Sequence, residues 1–168
     1  MRLELTKLPR TSPLAHTYQP DELSWQDEDV QLCGPVQVQG RIIQANDEVQ
    51  VTGHLQANVE TFCDRCARAV PMALESVFDE VYVTLEDYQQ SRAEDLQKDD
   101  LRVSVYDGVA LDLAEIVREE ILLAVPGQVL CRADCRGLCL HCGADLNTTP
   151  CRCAETETDP RWAALKNL

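Results

Sequence analysis

Val36-Gln37-Val38-Gln39-Gly40-Arg41-Ile42, a polar tip Ala45-Asn46-Asp47-Glu48, then Val49-Gln50-Val51-Thr52-Gly53-His54-Leu55-Gln56-Ala57-Asn58-Val59: small or apolar residues alternate with polar ones on both sides of the tip. Successive side chains of a strand point to opposite faces, so two such runs predict an antiparallel hairpin with one buried face. A third run, Val70, Met72 and Leu74, continues through Phe78 towards Val81 and Val83. Its alternation slips near Asp79, which predicts a bulge or bend there. Cys63-Asp64-Arg65-Cys66 falls between the second and third runs, so both thiols are expected at the tip of a strand-turn-strand unit.

Outward from this core the signals change. The segment up to Asp29 has prolines at 9, 13 and 20 and reads as a short strand followed by loop. Residues 86–100 lose periodicity and read as a flexible acidic insertion. Leu101 to Tyr106 reads as a strand ended by Asp107-Gly108. Asp112-Leu113-Ala114-Glu115 is a helix-start box, in which Asp112 accepts from first-turn amides and Glu115 reaches back. Leu113, Ala114, Val117, Ile121 and Ala124 then follow at helical spacing, with Arg118, Glu119 and Glu120 on the other face and Pro126-Gly127 as the stop. Asp159-Pro160-Arg161-Trp162-Ala163-Ala164-Leu165 predicts one or two further helical turns. The expected class is α+β: an antiparallel sheet or partly open barrel, one packing helix and a cysteine-rich, zinc-ribbon-like lobe. The expected division is a body over residues 1–126 and a lobe over 127–168.

Formal net charge is −14, from 29 acidic and 15 basic side chains. That balance speaks against a general-purpose phosphate binder, because nucleic acid would be repelled by most of the surface. The charge is uneven, however. Asp21 to Asp29 carries five carboxylates and no base, whereas Arg132, Arg136 and Arg152 lie among the cysteines. The first ten residues contain no apolar run of the length a secretory signal needs. No stretch approaches the ~18 apolar residues of a membrane span. The expectation is a cytoplasmic protein without membrane association, whose thiols stay reduced and bind metal in preference to pairing as disulfides.

Six of the nine cysteines crowd into 23 residues: Cys131, Cys135, Cys139, Cys142, Cys151 and Cys153. Cys139-Leu140-His141-Cys142-Gly143 is a knuckle, its glycine permitting the backbone angle that turns amides towards sulfur. Soft thiolates in this density point to zinc, with an iron–sulfur cluster and redox-active or idle thiols as the other readings. The preferred ligand set is Cys139, Cys142, Cys151 and Cys153, with Cys135 the main rival for Cys151 and His141 a further candidate. With one zinc, Cys63 and Cys66 stay free. With two, Cys63, Cys66, Cys131 and Cys135 form the second site and Cys33 remains an ordinary buried thiol. Zinc held by four sulfurs has no open position for substrate, which argues against hydrolytic chemistry. No phosphate-cradling glycine loop or nucleophile elbow appears, and His16 and His54 stand alone, so no catalytic residue and no small-molecule substrate are assigned.

The string Cys135-Arg136-Gly137-Leu138-Cys139-x2-Cys142-Gly143-x2-Leu146-Asn147, then Cys151-x-Cys153 and Asp159-Pro160-Arg161-Trp162-Ala163-x-Leu165, is similar to the C-terminal signature of the YceD family. Cys63-x2-Cys66 after a strand and the helix from Asp112 to Pro126 match its pattern too. The family is described as large-ribosomal-subunit RNA accumulation proteins of bacteria and chloroplasts. The resemblance implies a non-enzymatic factor in ribosome biogenesis that supports accumulation or processing of large-subunit (23S) ribosomal RNA. Its partner is then that RNA or a pre-ribosomal particle, with Arg132, Arg136, Arg152 and Arg161 as candidate RNA contacts. Two alternatives remain: a zinc-stabilised module whose acidic surface binds a basic ribosomal protein, and a thiol redox switch.

Overall fold

A computed structural model describes residues 1–23, 29–45, 48–91 and 103–153, together with Trp25, Asp27 and Arg161. Strands β1 (Arg2–Glu4), β2 (Thr11–Tyr18), β3 (Gln31–Leu32), β4 (Val36–Ala45), β5 (Glu48–Phe62) and β6 (Ala69–Thr84) come first. Helix α1 (Leu85–Ser91), strands β7 (Val103–Tyr106) and β8 (Ala110–Asp112) and helix α2 (Leu113–Ala124) follow, and single 3-10 turns lie at Leu5–Lys7 and Pro20–Glu22. The main sheet runs β2-β4-β5-β6-β7, with β3 pairing the far end of β5, while β1 and β8 form a separate ribbon. The sheet is open, and it is antiparallel except that β7 runs parallel to β6.

The alternation in the sequence sets the inner face. Val36, Val38 and Ile42 of β4, Val49, Val51, Leu55, Ala57 and Val59 of β5, and Leu74, Phe78 and Tyr82 of β6 are all buried. Helix α2 closes this face with Leu113, Ile116, Val117 and Ile121. Across the middle of the face run Leu14, Gly40, Gly53 and Phe78 in register. A Cβ on Gly53 would lie 2.4 Å from Cζ of Phe78, and one on Gly40 would lie 2.0 Å from the Thr52 carbonyl oxygen. The two glycines thus let the strands approach closely and give the Phe78 ring its seat.

Several expectations are corrected. The segment read as loop contains β2, whose Pro13 is tolerated because β2 is an edge strand with one unpaired ladder. No bulge occurs at Asp79: the β5–β6 register is unbroken from Glu48↔Val83 to Phe62↔Ala69. The apparent slip arises because Val83 is buried on the opposite face, at the end of β6 that leads into α1. The stretch expected as a flexible acidic insertion begins with α1, and its remainder lies outside the described residues. Glu120, assigned to the solvent side of α2, is buried, and its carboxylate accepts a 3.0 Å hydrogen bond from the Ser76 hydroxyl. It follows Val117 by three residues and therefore shares its face. Asp112 caps α2 as expected, accepting from the Ala114 amide at 3.0 Å. The short helix expected near Asp159 lies outside the described residues.

The glycine row generates a measurable expectation. Gly53→Ala should force Phe78 from its seat and lower stability by roughly 1–3 kcal/mol, the usual range for overpacking. The urea midpoint should fall at unchanged m-value; an unchanged midpoint would mean that the ring does not depend on the missing Cβ.

Candidate metal centre

The tip of the β5–β6 hairpin is a knuckle. Cys63 N donates to the Arg68 carbonyl at 2.8 Å and Ala67 N to the Cys63 carbonyl at 2.8 Å. Ala67 takes a φ of 54°, a left-handed angle that glycine adopts at far lower cost. The chain emerging from α2 docks on this tip: Asp64 N donates to the Val129 carbonyl at 2.9 Å, and Val129 N returns a bond to the Asp64 carboxylate at 2.5 Å. That exchange brings Cys131 and Cys135 to the tip thiols. Cys63 Sγ lies 3.8 Å from Cys135 Sγ and Cys66 Sγ lies 3.6 Å from Cys131 Sγ. Val70 and Leu130 pack around this mostly buried group.

A second knuckle repeats the first. Gly143 N donates to the Cys139 carbonyl at 2.9 Å, as Ala67 N does to Cys63, and Gly143 has a φ of 70°. Cys151 Sγ closes on it, 3.3 Å from Cys139 Sγ and 3.5 Å from Cys142 Sγ. The amides of His141 and Cys153 point at the sulfurs of Cys139 and Cys151, at 3.4 and 3.2 Å. His141 thus reaches the group through its backbone, and the four clustered ligand atoms are those of Cys139, Cys142, Cys151 and Cys153.

Within each group, Cys63-Cys66-Cys131-Cys135 and Cys139-Cys142-Cys151-Cys153, all four sulfurs lie within 4.8 Å of one another. All nine cysteines are free thiols. Both groups could hold a metal ion, and their soft, closely spaced donors fit zinc in character. Cys135, the rival for the second group, sits in the first; Cys33 is exposed, not buried as expected, because it lies just beyond the short edge strand β3.

The thiols are electrostatically unequal. Backbone amides, that of Cys131 foremost, hold Cys63 down at about 6. The amides of Cys142 and His141 do the same for Cys139, also to about 6. Burial, followed by the Cys66 sulfur, pushes Cys131 up to about 12. The Cys151 and Cys142 sulfurs push Cys153 up to about 12. Four adjacent thiols do not all ionise without a cation to share; an ion would supply that missing charge.

Asn147, on the loop between Cys142 and Cys151, bonds to the first group and its surroundings, a role the spacing of cysteines did not reveal. Its Nδ2 donates to Cys135 Sγ at 3.4 Å and to the Asp145 carboxylate at 2.7 Å. Its Oδ1 accepts from Arg132 Nη2 and from the Arg136 amide, both at 2.8 Å. Arg65 Nη1 donates to the Cys135 carbonyl at 2.8 Å, and Arg68 pairs with Asp145 at 3.1 Å. Arg132, Arg136, Arg152 and Arg161 are all exposed. Arg132 also pairs with Asp134 at 3.3 Å.

The strain at the first knuckle can be tested directly. Ala67→Gly should relieve the left-handed cost and stabilise the protein by about 1 kcal/mol. A melting temperature that stays level or drops would contradict that assignment.

Comparison with known proteins places the chain. Residues 51–168 match the family described as large ribosomal RNA subunit accumulation protein YceD. The uncharacterized protein YlbN of Bacillus subtilis is 26% identical over 167 residues, covering 98% of this chain and 92% of its own. An uncharacterized protein of Mycobacterium leprae is 27% identical over 139 residues, covering 83% of this chain and 61% of its own. A chloroplastic large ribosomal RNA subunit accumulation protein YCED homolog of Arabidopsis thaliana is 34% identical over 58 residues, covering 34% of this chain and 18% of its own. The chain thus spans about three fifths of the mycobacterial relative's length. No solved structure matches. With its match running across the knuckles, helix α2 and the whole C-terminal third, the chain belongs to the YceD family of large ribosomal RNA subunit accumulation proteins.

Proposed function

We infer that the chain is a non-enzymatic ribosome-biogenesis factor that supports accumulation or processing of 23S ribosomal RNA in the cytoplasm. The observation that carries this reading is the family match, which takes in every cysteine except Cys33. Both four-sulfur groups support a scaffolding role. Two structural zinc ions, one on Cys63, Cys66, Cys131 and Cys135 and one on Cys139, Cys142, Cys151 and Cys153, would have saturated coordination and no position left for substrate. Their task is to order residues 127–153, where little apolar surface is buried, and to present Arg132, Arg136, Arg152 and Arg161 to the large-subunit RNA or a pre-ribosomal particle. No helix among the described residues is long and apolar enough to cross a membrane.

A second reading, a module that binds a basic ribosomal protein, is favoured by the net charge of −14. Co-purification before and after RNase treatment separates the two, since a direct protein contact survives loss of RNA. A host lacking the chain should accumulate less 23S than 16S RNA, with the ratio restored by the wild type. An unchanged ratio would remove the proposed role.

The metal assignment has its own measurement. Elemental analysis should give two zinc ions per chain, and Cys63→Ser with Cys66→Ser should reduce that to one. Because thiols must lose protons to become ligands, zinc uptake should release protons and weaken as pH falls. Stoichiometry of one in the wild type, or uptake without proton release, would overturn it.

A further inference from the structure

Far from the cysteine groups, at the other end of β6, a cavity of about 500 Å³ opens between β7, β8 and α2. Its lining includes Tyr82, Tyr106, Asp107, Asp112, Glu115 and Glu119. Two cations beside the cleft are already engaged: Arg2 lies 3.1 Å from Asp107, and the N-terminal ammonium 3.5 Å from Asp112. Among the described residues, Glu115 and Glu119 have no ion-pair partner.

Tyr82 supplies an independent sign of a ligand. The residue is only 8% exposed, and its hydroxyl has no hydrogen-bond partner among the described residues. The oxygen is not sealed in protein, so it opens into the cavity that Tyr82 lines. Burial, then the nearby Glu80 and Glu119, raise its pKa and keep it a neutral hydroxyl able to donate and accept.

We propose that this cleft is a docking site for an arginine side chain on an extended segment of a partner protein. A guanidinium offers five donors in a planar fork and stacks on aromatic rings, which suits two carboxylates that have no ion-pair partner among the described residues, beside two tyrosines. The segment's main-chain carbonyl is the acceptor that the Tyr82 hydroxyl lacks. A compact divalent ion fits poorly, because no three carboxylates here bring oxygens within 4.8 Å of one another. RNA phosphate would meet a wall of like charge. The proposal stands on the cleft alone and is independent of the ribosomal-RNA reading.

The test uses the full, metal-loaded chain titrated with acetyl-Gly-Arg-Gly-amide and followed by amide chemical shifts. Shifts should concentrate on Tyr82, Tyr106 and the first turns of α2. E115Q with E119Q should weaken binding by about tenfold or more, as expected for lost charge-assisted hydrogen bonds. Tyr82→Phe should weaken it several-fold while leaving the melting temperature near wild type. Glu75→Gln with Asp79→Gln removes the same charge from the opposite sheet face and should change nothing; equal weakening there would reduce the effect to bulk attraction and overturn the proposal. It is also overturned if the citrulline peptide binds as well as the arginine peptide. The same holds if Mg²⁺ or oligouridine shifts these amides while the arginine peptide does not.

Discussion

The register of β5 against β6 is the constraint on which everything else rests. Fifteen consecutive residue pairs, from Glu48↔Val83 to Phe62↔Ala69, leave no freedom in where the hairpin tip lies. A slip of one residue would turn the whole inner face of β6 to solvent. It would also carry Cys63 and Cys66 away from Cys131 and Cys135, because the tip is fixed to the C-terminal chain through the Asp64–Val129 exchange, the contacts of Arg65 and the Arg68–Asp145 pair. The glycine row guards that register at mid-sheet: Phe78 fits only opposite Gly53.

The two cysteine groups share one local solution reached from different contexts. In each, the residue after C-x2-C adopts a left-handed angle and its amide bonds back to the first cysteine carbonyl. The first group is buried under Val70 and Leu130, while Cys142 and Cys153 of the second are exposed. Four thiolates around a divalent ion, were one bound, would leave two negative charges in excess. Amides aimed at sulfur and the guanidinium groups of Arg65, Arg68 and Arg132 beside them would reduce that excess. Most arginines of this region are thus tied to the frame through at least one atom, which narrows what each can offer a partner.

Much of this was legible in the chain because local periodicity dictates it. Strands β4, β5 and most of β6 declare themselves by alternation, and α2 by its cap and its proline stop. β2 did not, since Ser12 and His16 stand at inward positions and Pro13 reads as loop until its edge location is known. β3 and β8 are too short to carry a period. Cysteine spacing announced thiol clusters that could hold a metal, but which thiols meet depends on a contact between Asp64 and Val129, 65 residues apart. Asn147 is invisible by spacing because polar residues at a loop have no period. Ala67 was legible in principle: it occupies after Cys66 the place that Gly143 occupies after Cys142.

The same long strand resolves an apparent electrostatic conflict. A chain with net charge −14 is poorly suited to RNA, yet its family is named for ribosomal RNA. β6 runs from Ala69, beside the first cysteine group, to Tyr82 in the acidic cleft, about 40 Å of extended chain. Physiological salt screens exposed charges over about 8 Å, so the two ends are electrostatically separate surfaces. A polyanion at the exposed arginines of the cysteine-rich end, as proposed, would not feel the carboxylates at the other end, nor would a cationic segment in the cleft feel those arginines. Local charge, in addition to the net balance, therefore decides what each end can attract.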